Sequence, residues 1–351
     1  MNSRERFYAA LNYKPFDRMP THYYGTPEIN KALMEELSID NKKEIYERLG
    51  ADLRHVSPDY IGPKLKRFED GSTEGLNGEI YSKVSFGHGT YNEPSYLPFQ
   101  NVDDPAELEN HRFPSADWYD YSGVRNKCEA LSGFPIEIEG AGTPDFINGI
   151  ARYRGVQKVM YDIALEDPVY LGLIERRHEF LFEKTKRTLK AAGGLVDIVG
   201  MGEDLGNQNG LLISPDSYNK LFRPKHQAFI DLAHKYGAVA MMHCCGSCRK
   251  LMPTFIEMGL DILEVVQVDA AGMDITELHD EYYGKIVFCG SLSVQHTLPW
   301  GTVDEVIREV ELRKKLFAKG GMIIAPTHAI QAGTPIENII AMYRAIGSLA
   351  N

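Results

Sequence analysis

A (β/α)8 TIM barrel, with an N-terminal helical extension and a hairpin-containing insertion, is the fold class this sequence predicts. Three observations carry that expectation. Eight short β-prone runs centre on Tyr23, Leu53, Ile136, Val196, Val239, Leu263, Val287 and Ile323. Helical patterns intervene, and from residue 195 onward strand and helix alternate strictly, the signature of a parallel sheet. No glycine-rich dinucleotide fingerprint follows the first strand, which weighs against the runner-up, a doubly wound open sheet. The 351 residues, 43% of them hydrophobic, are enough for one large barrel domain over 1–351.

Taken in order, residues 3–12 read as a short amphipathic helix with Ser3 as its N-cap, the core of an extension over 1–20. The run 21–25 ends at glycine and is the first barrel strand; 27–36 and 42–49 are helices, and 53–56 is the second strand. Residues 60–120 differ, with glycine, proline and charge scattered through them. There, 79–84 and 90–91 flank the turn Gly87-His88-Gly89, which predicts a hairpin. Such an insertion either caps a barrel mouth or is a plain surface excursion.

Helices at 123–132, 150–165 and 168–192 surround a strand at 134–140. Strands at 195–200, 237–242, 262–266, 285–288 and 322–325 then alternate with helices at 214 onward, 249–258, 274–281, 302–319 and 335–346. Ser214-Pro215 marks a helix start by N-cap and N1 proline, and Thr302 caps the helix that Gly320-Gly321 ends.

Composition excludes several classes. No run approaches the eighteen apolar residues of a membrane span, and the charged N-terminus lacks an apolar signal region. Five cysteines in a chain this long argue against a disulfide framework and for a reducing cytoplasm. A net charge of −11 makes nucleic acid and acidic membranes poor partners.

In a barrel, the C-terminal strand ends converge on one mouth, so reading them in turn is a functional census. They are Tyr23-Tyr24, then Gly202 to Gln208, then His243 and Cys245, then Gln267 and Asp269, then Cys289-Gly290-Ser291, and finally Pro326 to Gln331. The set contains metal ligands: His243, Cys245 and His328, with Cys289 or Glu203 as a further candidate. Three protein ligands with one open position is the pattern of a catalytic zinc. Cys245 is also expected at a helix N-terminus, where the dipole favours thiolate.

Blander readings stand beside this one. Cys245-x-x-Cys248 also fits a redox pair, and cysteines at strand ends also serve as core filler. His328 also reads as a hydrogen-bonding pocket residue, and Cys289 as a buried thiol. Glu203 and Asp204 bind substrate, orient a ligand or cap a segment. Cys128 reads as packing, and Cys244 should point away from Cys245.

Several of these segments occur together in one known family. Gly202-Glu203-Asp204-Leu205-Gly206-Asn207-Gln208 with Ser214-Pro215, His243-Cys244-Cys245-Gly246, Leu298-Pro299-Trp300-Gly301-Thr302 and Ala325 to Gln331 with Thr334 to Asn338 are jointly specific. On these segments the chain resembles the uroporphyrinogen decarboxylase superfamily, and within it the zinc methyltransferases that work with corrinoid proteins. The resemblance implies a (β/α)8 barrel. True decarboxylases carry an N-terminal arginine cluster for substrate propionates; here that region reads Arg18-Met19-Pro20-Thr21-His22-Tyr23-Tyr24.

The methyltransferase branch is marked by a His-x-Cys pair and a distant cysteine, and this chain has His328 at the distant position. One thiolate fewer makes a bound zinc a stronger Lewis acid, which suits a methyl ether oxygen. The resemblance therefore implies a methyltransferase that moves a methyl group between a small O- or S-methyl compound or acceptor and a separate corrinoid protein. Zn2+ and a partner-borne corrinoid are the implied cofactors, since the chain has no Asp-x-His-x-x-Gly segment of its own. Glu203 and His328 are the expected catalytic residues. Tyr23, Tyr24, Asp204, Gln208, Gln267 and Gln331 are expected to shape the substrate pocket. Barrels of this family often pair, so a homodimer is compatible. The alternatives are a metal-free decarboxylase and a non-catalytic binding barrel.

Overall fold

The computed structural model describes residues 1–87 and 89–350. Its centre is a parallel sheet of seven strands, in spatial order Arg54–His55, Ile136–Pro144, Ile198–Gly202, Val239–His243, Ile262–Val265, Val287–Leu292 and Met322–Pro326. Spatial order equals chain order, as a curling β/α sheet requires. The predicted first strand, 21–25, forms only isolated parallel bridges, Thr21 to Ile324 and Gly25 to Ile330. It nevertheless closes the sheet. His22 N donates to Ile324 O (3.3 Å) and Ile324 N to Pro20 O (2.9 Å) on one edge, while Asp52 N donates to Thr21 O (2.8 Å) on the other. The fold is a (β/α)8 barrel whose eighth stave, the run 21–25, is held by backbone bonds to both neighbours.

Two-residue periodicity fills the interior. Leu53, Ile198, Met241, Ile262, Val287 and Ile323 form one buried cluster with Phe7. Phe7 lies on the helix Ser3–Leu11, so the N-terminal extension plugs the barrel floor. Two residues further along the strands stand His243, Glu264 and Cys289, next in the same inward rows. His243 and Cys289 each lie beside Glu264 in register.

Some expected boundaries move for identifiable reasons. Asn2, not Ser3, caps the first helix: its side chain accepts from Glu5 N (2.8 Å) while Glu5 receives Asn2 N (3.0 Å). The helix expected over 150–165 is two, Asn148–Arg154 and Val156–Leu165, parted at Gly155 with φ of 97°. The helix expected from 249 opens with a 3-10 turn, Arg249–Leu251, before Met252–Glu257. The helix Pro168–Ala192 falls where its pattern places it, and Ser214 and Thr302 cap their helices as expected.

Within 60–120, Ile80–Ser85 and Thr90–Tyr96 pair antiparallel. Of the predicted turn, His88 lies outside the described residues. The hairpin reaches the barrel: Thr90 N donates to Glu28 Oε1 (3.2 Å), and the Tyr91 hydroxyl donates to Gln331 Oε1. Among the described residues no helix is long and apolar enough to cross a membrane.

Candidate metal centre

The strand Val239–His243 ends in the barrel mouth, and the turn beyond it carries Cys245. That turn needs glycine. Gly246 has φ of 76°, and a Cβ there would lie 2.5 Å from the backbone of Gly206. The loops after Ile198–Gly202 and Val239–His243 thus touch backbone to backbone. Asp204 accepts from Cys245 N (2.8 Å) and from Asn148 Nδ2 (2.9 Å), and Gln267 Oε1 accepts from Gly246 N (2.8 Å). Two side chains from neighbouring loops hold the turn in place, and Asn148 steadies one of them.

On this frame His243, Cys245 and His328 converge, with one ligand atom from each lying within 4.8 Å of the others. Cys245 Sγ is 3.3 Å from His243 Nε2. Ligands at the corners of a tetrahedral zinc site are about 3.4–3.8 Å apart, so the pair is already at ligating separation. The His243 and His328 rings stand 6.0 Å apart at 70°. The other nitrogen of His243, Nδ1, lies 3.3 Å from Glu264 Oε2, and Tyr24 donates its hydroxyl to Glu264 Oε1. A ligating histidine whose second nitrogen meets a buried carboxylate is the usual support of a metal site. The residues present fit a zinc ion.

Charge follows from this packing. Burial opposes a charged His243, but its hydrogen bonds to Cys245 and Glu264 outweigh burial and raise its pKa well above the ordinary value. Burial pushes the Cys245 thiol up, and His243 offsets this only in part. Cys245 is not at a helix N-terminus as expected, because the following 3-10 turn begins only at Arg249. A thiolate at Cys245 would draw on His243 and on any metal bound there. Burial, and then the His243 charge, hold His328 below its ordinary value, in the neutral form a ligand needs.

Other expectations separate. Glu203 does not reach the centre. It is buried and accepts from Phe146 N and Ile147 N (2.8 Å each), which anchors the start of Asn148–Arg154. Burial raises its pKa to about 7 despite those two bonds. Consecutive residues face opposite ways, so Asp204 takes the mouth and Glu203 the helix layer. Cys289 is fully buried in the barrel core, outside the ligand set, with its thiol pushed well up by burial. Tyr23 is also wholly buried; its hydroxyl donates to Asn30 Oδ1 (2.7 Å) and its ring packs on Tyr46 and Tyr343. Cys244 turns into the core beside Cys248, and all five cysteines are free thiols.

Gln208, Gln267 and Gln331 line a cavity of about 460 Å³ together with Cys245 and His328. A larger cleft, of about 760 Å³, lies beside Trp300 and Arg313 and borders none of the three ligands. Glu264 is not among the site residues expected from the sequence. Its signal was an acid inside the apolar run Ile262-Leu263-Glu264-Val265-Val266.

The uroporphyrinogen decarboxylase family model matches residues 151–349, more than half of the chain. The chain belongs to the uroporphyrinogen decarboxylase family. A methylated-thiol–coenzyme M methyltransferase of Methanosarcina mazei is 27% identical over 140 residues, 38% of this chain and 34% of that protein. The matched stretch thus spans about a third of the relative's length. Over the whole chain, a methyltransferase structure from Methanosarcina mazei superposes with a TM-score of 0.63 at 16% identity, covering 99% of this chain and 98% of that one. That likeness shows the fold shared by this member of the uroporphyrinogen decarboxylase family. A B12-independent methionine synthase from Shewanella sp. W3-18-1 is more distant, with 12% identity, coverage of 94% and 96%, and a TM-score of 0.44.

Proposed function

We propose that this member of the uroporphyrinogen decarboxylase family is a zinc-dependent methyltransferase, moving a methyl group between a small O- or S-methyl compound and a separate corrinoid protein. One observation carries the reading: a nitrogen, a sulfur and a second nitrogen, from His243, Cys245 and His328, meet at the barrel mouth, where Cys245 and His328 border a cavity. The likeness to a methylated-thiol–coenzyme M methyltransferase supports the same class of chemistry.

Zinc held by these side chains would polarise the oxygen or sulfur that carries or accepts the methyl group. The chain's own residues supply the rest. Glu264 orients His243 and stabilises its metal-facing tautomer, with Nε2 toward Cys245. Asp204 fixes the Cys245 backbone. Gln208, Gln267 and Gln331 line the cavity where the methyl compound binds. The corrinoid protein is the second substrate and meets the same mouth. In this reading residues 1–351 are one barrel domain, with an extension over 1–20 and an insertion over 60–120. A reducing cytoplasm suits its five free thiols.

The test is metal content of the purified chain beside Cys245→Ala and His328→Ala. About one zinc per chain, lost in both variants, supports the three-ligand site. Methyl transfer to or from a corrinoid protein must then accompany it. A chain that takes up no zinc under reducing conditions sinks this reading and turns attention to decarboxylation.

A further inference from the structure

We infer that the cavity beside the metal centre selects an uncharged methyl compound, an ether or its alcohol or phenol counterpart, over one bearing a sulfonate or carboxylate. The inference names a substrate class and rests on the methyltransferase reading.

The cavity wall is built from neutral hydrogen-bonding groups. Asn207, Gln208, Gln267, Gln295 and Gln331 contribute amides and Thr327 a hydroxyl, and no lysine or arginine lines it. Several amides are already oriented. Gln267 Oε1 takes the Gly246 N–H, leaving its N–H2 as the free end, while Gln208 Nε2 donates to Gln295 Oε1 (3.2 Å). Such groups exchange hydrogen bonds with ether and hydroxyl oxygens without a formal charge to neutralise. Anion recognition instead calls on arginine or lysine.

The fixed charges near the centre are negative. Asp204 Oδ1 is 3.7 Å from His243 Nε2, and Glu264 Oε2 is 3.3 Å from Nδ1. Against the +2 of a bound zinc stand the Cys245 thiolate and both carboxylates, so a further anion enters an unfavourable field. Both carboxylates already hold protein partners. Asp204 is engaged by Cys245 N and Asn148, and Glu264 by His243 and Tyr24. A volume of about 460 Å³ has room for a single substituted ring.

The test is calorimetric binding to the zinc-loaded chain of two matched pairs: 2-methoxyphenol against 4-hydroxy-3-methoxybenzoate, and 2-mercaptoethanol against 2-mercaptoethanesulfonate. The neutral member of each pair should bind about tenfold more tightly, the effect of a like charge within ~8 Å in a half-wet site. Gln208→Lys should raise the affinity of the benzoate relative to that of the methoxyphenol. Equal or tighter binding of the anions, no gain for the benzoate in the lysine variant, or no binding by either member overturns the inference. The parent reading fails separately. Preferential binding of the neutral compounds without methyl transfer to a corrinoid protein upholds the selectivity and removes the methyltransferase.

Discussion

Glu264 stands 3.3 Å from Nδ1 of His243, on the side of the ring opposite Cys245, and both residues are buried. The two face each other because Val239–His243 and Ile262–Val265 are neighbouring parallel strands with His243 and Glu264 in register. The pairing fixes which imidazole nitrogen is left for a metal. Removing the carboxylate in Glu264→Ala should weaken zinc affinity roughly 10–100-fold, read by competition with a chromophoric chelator. Unchanged affinity would mean that the carboxylate plays no part in holding the histidine.

Cys289 and Glu203 lie outside the ligand set, so their variants should keep the metal. Cys289→Ala should bind one zinc per chain and lose roughly 1 kcal/mol of stability, the usual scale for a small core truncation. Glu203→Ala should likewise keep zinc but lose about 1–3 kcal/mol for each buried N–H left without its acceptor. Elemental analysis beside denaturant unfolding separates the two effects. Loss of zinc in either variant would return that residue to the centre.

Arg154 has no exposed side-chain surface, and its guanidinium ties four places together. It donates to Asp162 (2.5 Å), Asp167 (3.0 Å), Phe99 O (3.0 Å) and Val102 O (2.9 Å), joining the insertion to the helices behind the mouth. Arg154→Ala leaves buried acceptors and a buried carboxylate unpaired, and should cost about 3–5 kcal/mol. Arg154→Lys restores the charge but not the planar fork, so it should recover only part of the loss. An alanine variant within 1 kcal/mol of wild type in urea unfolding would refute this.

His226 gives the pH dependence a definite sign. It is fully buried, with Nε2 3.4 Å from Glu203 Oε2, and burial pushes its pKa from 6.5 down to about 3. A depressed folded-state pKa contributes stability that is present above 6.5 and is lost as pH falls toward 3. Glu203 runs the other way: its folded pKa is raised to about 7, so its contribution is lost as pH rises through 7. Glu203 is present in both proteins when wild type is compared with His226→Gln. The stability gap between them should therefore shrink by about 2 kcal/mol from pH 7.5 to pH 5.0, at ~1.4 kcal/mol per unit below 6.5. A gap that is constant or widens over that range would contradict a neutral buried His226.

Much of the barrel was legible in the residues. Apolar runs of strand length separated by capped helices located seven sheet strands, because burial on both faces leaves an unmistakable hydrophobic signature. The first strand was weaker. The run 21–25 carries histidine and tyrosines in place of an aliphatic run, and its place in the barrel comes from backbone bonds to Ile324 and Asp52. The candidate metal triad was legible for a geometric reason: strand ends meet at one mouth, so His243, Cys245 and His328 could be set together from the strand pattern alone. The hairpin strands were legible too, but not the contact that brings Tyr91 onto Gln331.

Periodicities, the helix caps at Ser214 and Thr302, and three candidate ligands at strand ends could all be read from the residues. How adjacent side chains divide emerged with the packed barrel. Asp204 turns to the centre and Glu203 to a helix start; Cys289 sinks into the core, and Tyr23 packs among tyrosines while Tyr24 reaches Glu264. The phase of the pleat makes that division. A strand's residues alternate between barrel interior and helix layer, and which set faces inward depends on register with neighbours up to hundreds of residues away. Glu264 could find His243 only after that register was set.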